Sequence, residues 1–419
     1  MFSRRARPFA CSITALSLAA LHAAAFADSD RDRERDRSKD RTVVVDCAAG
    51  DTVTRALTRG DERKSLTILI NGSCTESVVI NRSDIKLAAA APGATLIGPD
   101  GAIDVIRVTG SRVTIDGIAV TGGRNGITAD SAAGLIVQNA LVQGTGRTGI
   151  VYAHGASGTV DTVTVTGNPR DGIAVDAGSA AIINSQVTQN SRHGVGVFTN
   201  GSARIGLDYL GNAGGNIISA NGFAGIHIVF GSTALIALNQ ITGNGTSADP
   251  TAIRIGINLA SASADIIGGN TISGNVGTGV NLVRSSAIFG DATFGFSTVN
   301  TVSGNGSPTS QGGVVGFLGS SVTIRDAVIT GNTGSGVILS LNSAAQIAST
   351  TIQNNLSVGP GTGDGVRLQL GSSLFATAPA GNVSGNAGFG LACSDPESSA
   401  TGSLGIGANG LGTVTCTGF

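Results

Sequence analysis

Aromatic side chains are scarce in this sequence, which has no Trp and 2 Tyr among 419 residues, and this argues against a surface of stacked rings. Charged residues are also few, at 13%, and 26 Lys and Arg stand against 27 Asp and Glu. The chain therefore lacks the basic excess that indicates nucleic-acid binding. Its 64 Gly follow no G-X-Y period and Pro numbers 9, which excludes a collagen-like chain. The 41% hydrophobic content excludes a fully disordered chain.

The first 27 residues have the three parts of a secretory signal peptide. Three arginines lie within the first seven positions, an apolar run covers 13–26, and Ala-Phe-Ala ends at Ala27. We therefore predict a signal peptide over 1–27 and a mature chain that begins at Asp28. No later segment is long and apolar enough to span a bilayer. The sequence predicts an exported protein that is secreted, periplasmic or attached to the cell surface.

A charged segment follows, with six acidic and six basic side chains in the fourteen residues 28–41. It has no apolar side chain to bury, and we expect a disordered, solvated linker.

Four of the five cysteines lie beyond the predicted cleavage point, two near each end of the chain: Cys47, Cys74, Cys393 and Cys416. An even number in an oxidising compartment predicts disulfides. Three pairings are possible, and proximity in the sequence favours Cys47–Cys74 and Cys393–Cys416. Zinc ligands would need closer spacing with histidines nearby, so we predict no metal site.

A repeat of about 22 residues dominates the rest of the chain. Its first marker is a Gly followed by Ile or Val, as at Gly126, Gly149, Gly172 and Gly194. Its second marker is an Asn that follows Thr-Gly or Ser-Gly, or sits there with looser flanks: Asn168, Asn190, Asn221, Asn244, Asn275, Asn305, Asn332, Asn354 and Asn386. Short alternating apolar runs between the markers predict three strands per repeat. Such a period predicts a solenoid whose coils bury their inner faces by stacking.

These Gly-Asn and Gly-Ile/Val markers resemble the right-handed parallel β-helix repeat family, which shares the fold of pectate-lyase-like proteins. The resemblance implies an all-β, single-stranded solenoid over 66–392. It does not imply one activity, because the same scaffold carries lyases, hydrolases, epimerases, adhesins and binding proteins. The paired-Asp, Gly-His-Gly and Arg-Ile-Lys motifs of the polygalacturonase-like members are missing here.

The ends of a solenoid expose unpaired strand edges and need covering. We predict an amino-terminal cap over 42–65, with a short helix that Asp51 caps and that runs through Thr58, and a carboxy-terminal cap over 393–419. The two expected disulfides would fasten these caps. We interpret the nine repeat asparagines as structural, because Asn suits tight corners and can form a hydrogen-bonded ladder.

Four arginines share one position of the repeat, two residues before the marker glycine: Arg124, Arg147, Arg170 and Arg192. They should stack along one edge at about 4.8 Å per coil. Stacked like charges oppose folding unless they are compensated, and Asp171, Asp130 and Asp176 are the candidate counter-charges. An arginine-lined edge suits a carboxylated or sulfated glycan. The alternative is a solvated edge whose ion pairs contribute little.

Three further residues near this edge are predicted to contact a ligand: Tyr152, His154 and His193. His227 is expected to be a solvated surface residue. For catalysis, the only set that can be nominated is Asp130 and Asp176 with Arg147 and Arg170. We predict no cofactor, and expect a monomer.

The sequence thus favours an exported binding module, possible partners being acidic polysaccharide or cell-surface glycan. A polysaccharide lyase or related carbohydrate-active enzyme is the first alternative. A structural scaffold without a ligand is the second.

Overall fold

The computed structural model describes residues 41–59, 64–290, 299–308, 312–359, 362–417 and 419. The predicted signal peptide and all of the predicted linker except Arg41 lie outside these residues. No helix among the described residues is long and apolar enough to cross a membrane.

Three sheets run the length of the described chain, and every coil contributes one strand to each. Sheet 1 has 15 strands: Arg41–Asp46, Leu66–Asn71, Ile85–Ala89, Val113–Asp116, Ala133–Gln138, Ser157–Asp161, Ser179–Ile183, Ser202–Ile205, Thr233–Ile236, Ser263–Ile266, Ser286–Phe289, Ser321–Arg325, Ala344–Ala348, Ser373–Ala376 and Ser399–Gly402. Sheet 2 has 14: Ser73–Thr75, Thr95–Gly98, Ala119–Gly122, Leu141–Gln143, Thr164–Thr166, Gln186–Thr188, Ile217–Ser219, Gln240–Thr242, Thr271–Ser273, Asn300–Ser303, Ala327–Thr330, Thr351–Gln353, Asn382–Ser384 and Gly405–Ile406. Sheet 3 has 14: Val78–Ile80, Ile106–Val108, Ile127–Asp130, Ile150–Ala153, Ile173–Asp176, Val195–Phe198, Ile226–Val229, Ile257–Ala260, Val280–Val283, Val314–Phe317, Val337–Ser340, Val366–Gln369, Phe389–Cys393 and Gly412–Val414.

Neighbouring strands pair in parallel and in register, as Ile127, Ile150 and Ile173 do in sheet 3. This confirms the predicted all-β parallel β-helix. The sheets continue to Val414, so strands of the final coil lie inside the segment 393–419 that the sequence analysis treats as a cap.

The core is the bore of the solenoid, filled by one or two aliphatic side chains from each strand. In sheet 2, for example, Val142, Val165 and Val187 stack on consecutive coils and are fully buried. Alternation of buried and exposed positions along each strand turns the remaining side chains outward. A coil cannot bury its own inner face, so stability comes from contact with its neighbours.

A ladder of asparagines, buried except for the last, forms the corner between sheets 2 and 3. Each side-chain amide donates to the Oδ1 of the Asn on the next coil at 2.8–3.1 Å. The ladder comprises Asn168, Asn190, Asn221, Asn244, Asn275, Asn305, Asn332, Asn355, Asn386 and Asn409. The prediction of Asn354 is wrong. Asn354 has φ 53° and takes the position of the glycine that directly precedes a ladder asparagine, such as Gly331 at φ 62° before Asn332.

A second ladder, which the repeat markers do not reveal, lies between sheets 1 and 2 and comprises Asn216, Asn239, Asn270 and Asn300.

Both predicted disulfides are present, Cys47–Cys74 and Cys393–Cys416. The amino-terminal cap contains a 3-10 turn, Cys47–Ala49, and a helix, Val53–Leu57. Thr52 caps this helix through its hydroxyl, so the prediction of Asp51 as the cap is wrong. Asp51 instead donates its backbone N–H to the Asp46 carbonyl and continues the preceding turn.

Candidate functional site

The predicted arginine column lies at the corner between sheets 2 and 3. The backbone N–H of Arg170 donates to the Arg147 carbonyl at 2.9 Å, and that of Arg192 to the Arg170 carbonyl at 3.0 Å. The three residues therefore stack directly on consecutive coils, which places their Cα atoms about 4.8 Å apart.

Two of the four arginines are bound by a buried carboxylate of the preceding coil. Arg192 binds both oxygens of Asp171, its Nε donating to Oδ1 at 2.7 Å. Arg124 binds both oxygens of Asp104, at 3.0 and 3.4 Å. The Asp171 and Asp104 side chains are only 2% and 4% exposed. The prediction of Asp171 as a counter-charge is thus correct for Arg192.

Arg147 and Arg170 have no such partner. Both Asp residues lie two residues before the first residue of a sheet 3 strand, on the coil preceding their arginine. The corresponding residues for Arg147 and Arg170 are the neutral Asn125 and Thr148. Within the described residues, neither guanidinium makes a hydrogen bond or ion pair. Partial burial, followed by the charges of Arg192 and Arg147, lowers the pKa of Arg170, and the charge of Asp171 opposes this shift. The residue two positions before each sheet 3 strand therefore leaves two adjacent arginines without a carboxylate bound to them in the part of the chain that the structure describes.

A surface depression of about 510 Å³ contains this pair. Its wall includes Arg147, Arg170, Arg192, Asp176, His193 and His227. Arg124 does not line it, and its side chain is bound to Asp104 of the preceding coil. The depression is therefore cationic at the Arg147 end.

The other end of the depression is aromatic. The Phe198 ring lies over Gly196, where an added Cβ would come within 2.4 Å of the ring. The Arg192 guanidinium lies 5.4 Å from the centre of that ring, close enough for a cation–π contact. Phe230, one coil farther on, also lines the depression and is 70% exposed. A ligand could therefore meet charge and an apolar ring in the same site.

Two histidines form the floor between these ends. The rings of His193 and His227 are stacked, with centres 4.1 Å apart and planes 4° apart, and both residues are buried. Burial is the main cause that lowers the pKa of His193 well below its usual value and that of His227 to about 4, and nearby arginines add to both shifts. Both rings are uncharged at neutral pH. The expectation that His227 is solvated is therefore wrong, since it packs beneath the depression.

Two carboxylates line the depression: Asp171, which Arg192 binds, and Asp176. Asp176 is the exposed one. Its side chain is exposed and has no hydrogen-bond or ion-pair partner within the part of the chain that the structure describes. It lies in register with Ala153 and Phe198 on the neighbouring strands. An exposed, unpaired carboxylate is available as a proton acceptor.

Asp130 lies two coils from Asp176 and outside the wall of the depression. It is paired with Arg107, and its Oδ1 lies 2.9 Å from Nδ1 of His154. The hydrogen bond from His154, together with Arg107, lowers the pKa of Asp130. The structure thus separates Asp130 and His154 from Arg147, Arg170 and Asp176, with which the sequence analysis had grouped them.

The expectation that Tyr152 contacts a ligand is wrong. Its side chain points into the bore and is fully buried, and its hydroxyl donates to the carbonyls of Leu135 and Thr159 at 3.2 Å. Gly158 provides the space, because a Cβ there would lie 2.8 Å from the Tyr152 ring. Side chains alternate between the two faces of a strand, so Tyr152 points inward like the buried Ile150 two residues earlier.

No group of three or more His, Cys, Asp or Glu side chains in the described ranges could hold a metal ion. The depression is therefore lined by three arginines, the two carboxylates Asp171 and Asp176, two uncharged histidines and two phenylalanines.

Comparison with known families identifies the fold class. The family model described as right handed beta helix region matches residues 95–213 and 171–352, and the chain belongs to this family. The predicted right-handed parallel β-helix is thereby confirmed. None of the curated proteins matches the chain.

Several solved structures are similar to this chain. A variant of the periplasmic alginate epimerase AlgG is 12% identical, with a TM-score of 0.50 over 91% of this chain and 81% of that one. The AlgE6 A-module, a mannuronan C-5 epimerase of Azotobacter vinelandii, is 14% identical, with a TM-score of 0.47 over 86% and 91%. Pectate lyase Pel9A is 15% identical, with a TM-score of 0.40 over 69% and 78%. At these identities the likeness concerns the fold alone.

Proposed function

We propose that this chain is an exported β-helix that binds an acidic polysaccharide in the depression beside Arg147 and Arg170. The observation that carries the proposal is that these two arginines, on adjacent coils, have no carboxylate of their own among the described residues. Each guanidinium can bind a carboxylate through two parallel hydrogen bonds. A carboxylated ligand would relieve the repulsion between stacked cations that the fold leaves uncompensated.

A polymer fits this site better than a small anion. The arginines repeat at about 4.8 Å, which is similar to the length of one sugar in an extended polysaccharide. The depression extends from the cations to Phe198 and Phe230, so neighbouring sugars can contact different parts of it. The disulfides support export, because such bonds persist in oxidising compartments.

The test is a comparison of variants with alginate and polygalacturonate, two polymers that carry carboxylates. Arg147→Ala with Arg170→Ala should weaken binding at least tenfold. Arg124→Ala is the matched control, because it also removes an arginine but one bound to Asp104 outside the depression. Wild-type binding should weaken as salt rises, and neutral dextran should not bind. Equal affinity of the double variant and the control would refute the proposal.

A polysaccharide lyase or related carbohydrate-active enzyme is the second candidate, favoured by the unpaired Asp176 and the uncharged histidines of the same depression. A lyase would shorten the polymer and leave unsaturated sugar ends, which absorb ultraviolet light. Asp176→Asn should then abolish chain shortening while leaving binding intact. Polymer that stays intact while bound to protein identifies a binding module. A chain that neither binds nor shortens these polymers would be the structural scaffold.

A further inference from the structure

The histidine pair beneath the depression is held in one protonation form by its inner neighbours. The backbone N–H of Ala224 donates to Nδ1 of His193 at 3.3 Å. A backbone N–H can only donate, so Nδ1 of His193 is an acceptor. The proton of the neutral ring must therefore lie on Nε2.

His227 is held in the same protonation form by the side chain of Asn258. Its Nδ1 lies 3.0 Å from the Nδ2 of Asn258, which donates to it, and Asn258 in turn accepts a hydrogen bond from Asn281 at 2.8 Å. The three residues stand in register on adjacent strands of sheet 3. Because Asn258 is buried and its oxygen is occupied by Asn281, its amide group is left to face His227.

The Nε2 atoms of both rings remain without a hydrogen bond in the described part of the chain, although both residues line the depression. The charged groups around the rings are Arg170 and Arg192 together with Asp171, whose Oδ1 accepts from the His193 backbone N–H at 3.3 Å, and Asp176 on the wall. The two arginines disfavour protonation of the rings. Two uncharged N–H groups without a partner among the described residues therefore belong to residues that line the same depression as Arg147 and Arg170.

We propose that His193 and His227 are specificity-determining residues whose Nε2–H groups bind hydroxyl or ring oxygens of the saccharide, and that Asn258 is the positioning residue that fixes the proton of His227 on Nε2. This inference rests on the proposed function, because it concerns the sugar attached to the carboxylate that Arg147 and Arg170 bind. Cations alone would accept any polyanion. Uncharged donors that require an oxygen at a fixed place distinguish a sugar acid from other carboxylates.

The first experiment examines the protonation form without any ligand. Long-range proton–nitrogen spectra of the full chain labelled with ¹⁵N-histidine, at pH 7.5, should show neutral His193 and His227 with the proton on Nε2. Asn258→Leu should move the proton of His227 at least partly to Nδ1 and leave His193 unchanged. A His227 proton on Nδ1 in the wild type, or no change in Asn258→Leu, would overturn the role of Asn258.

The second experiment compares an oligouronate with poly-L-glutamate, which carries carboxylates but no hydroxyl groups. His227→Phe keeps a ring on the stack and removes the donor. We expect about a fivefold loss of affinity for the oligouronate and less than a twofold change for poly-L-glutamate. An equal loss for both probes, or no loss for either, would overturn the proposal. If Arg147→Ala with Arg170→Ala also leaves both affinities unchanged, the proposed function itself fails.

Discussion

Asp171 of one coil binds Arg192 of the next, whereas Arg170, one coil earlier, has Thr148 in place of that carboxylate. The same relationship joins Asp104 to Arg124 and is missing between Asn125 and Arg147. Whether an arginine of this column is structural or available to a ligand is thus decided by a single residue of the preceding coil. The column has a bound arginine at each end and two free ones in the middle.

Asp171→Asn should destabilise the fold, because it removes a carboxylate that is only 2% exposed and that Arg192 contacts through both oxygens. We expect a loss of about 2 kcal/mol in the free energy of unfolding, measured with urea. Asp176→Asn is the matched control, since it changes the charge equally at an exposed, unpaired position. A similar loss in both variants would mean that net charge, and not the Asp171–Arg192 pair, is responsible.

Asn355→Ala should cost about 3 kcal/mol, because Asn355 is fully buried in the ladder and accepts from both the backbone N–H and the side-chain amide of Asn332. Asn354→Gly should be nearly neutral, since other coils have Gly at this left-handed position. Unfolding midpoints in urea give the comparison. If the Asn354 variant were the less stable of the two, our assignment of the ladder register would be wrong.

Acid should destabilise the fold through the histidine pair before it affects the carboxylates. The folded-state pKa of His227 is about 4, below the unfolded value of about 6.5, so the unfolded chain takes up the proton first. Stability from this residue is complete above pH 6.5 and is lost as the pH falls toward 4, by about 2 kcal/mol at pH 5. The pKa of His193 is also lowered by folding, so acid reduces stability through this residue as well. The lowered pKa of Asp130 acts in a separate window, below its ordinary value of 3.8.

Urea unfolding at pH 7.5 and pH 5 measures this effect. His227→Phe should lose less stability on acidification than the wild type, because the ring it introduces does not titrate. Identical acid sensitivity in the two proteins would show that the buried pair does not titrate as described.

The sequence was sufficient to predict the coil period and the three sheets, because residues that recur once per coil stack on one another. It was also sufficient to predict both disulfides, because the paired cysteines lie close together in the sequence. It was also sufficient to place the arginines in one column. It did not show which of them are free, since that depends on pairing between coils, although Asp104 and Asp171 stand at the same place in their repeats. The sequence analysis names Asn354 although the ladder residue is Asn355, because the two are adjacent and the repeat spacing alone does not separate them.

Tyr152 and His227 show where the sequence reasoning failed. The sequence analysis groups Tyr152 with the residues near the arginine edge, but Gly158 makes room for its ring inside the bore and its hydroxyl hydrogen-bonds to two carbonyls there. His227 was assigned to solvent because its position faces outward. Gly196 on the previous coil lets Phe198 fold across the sheet, and His193 stacks on the imidazole, so an outward position becomes buried.

The central claim is that Arg147 and Arg170 bind ligand because Asn125 and Thr148 leave them without carboxylates. The most direct measurement is a calorimetric titration of the wild type and Thr148→Asp with an oligouronate. The new carboxylate should bind Arg170 as Asp171 binds Arg192. The affinity for the oligouronate should then fall at least tenfold, although every arginine is still present. Unchanged affinity in a folded Thr148→Asp protein would contradict the account.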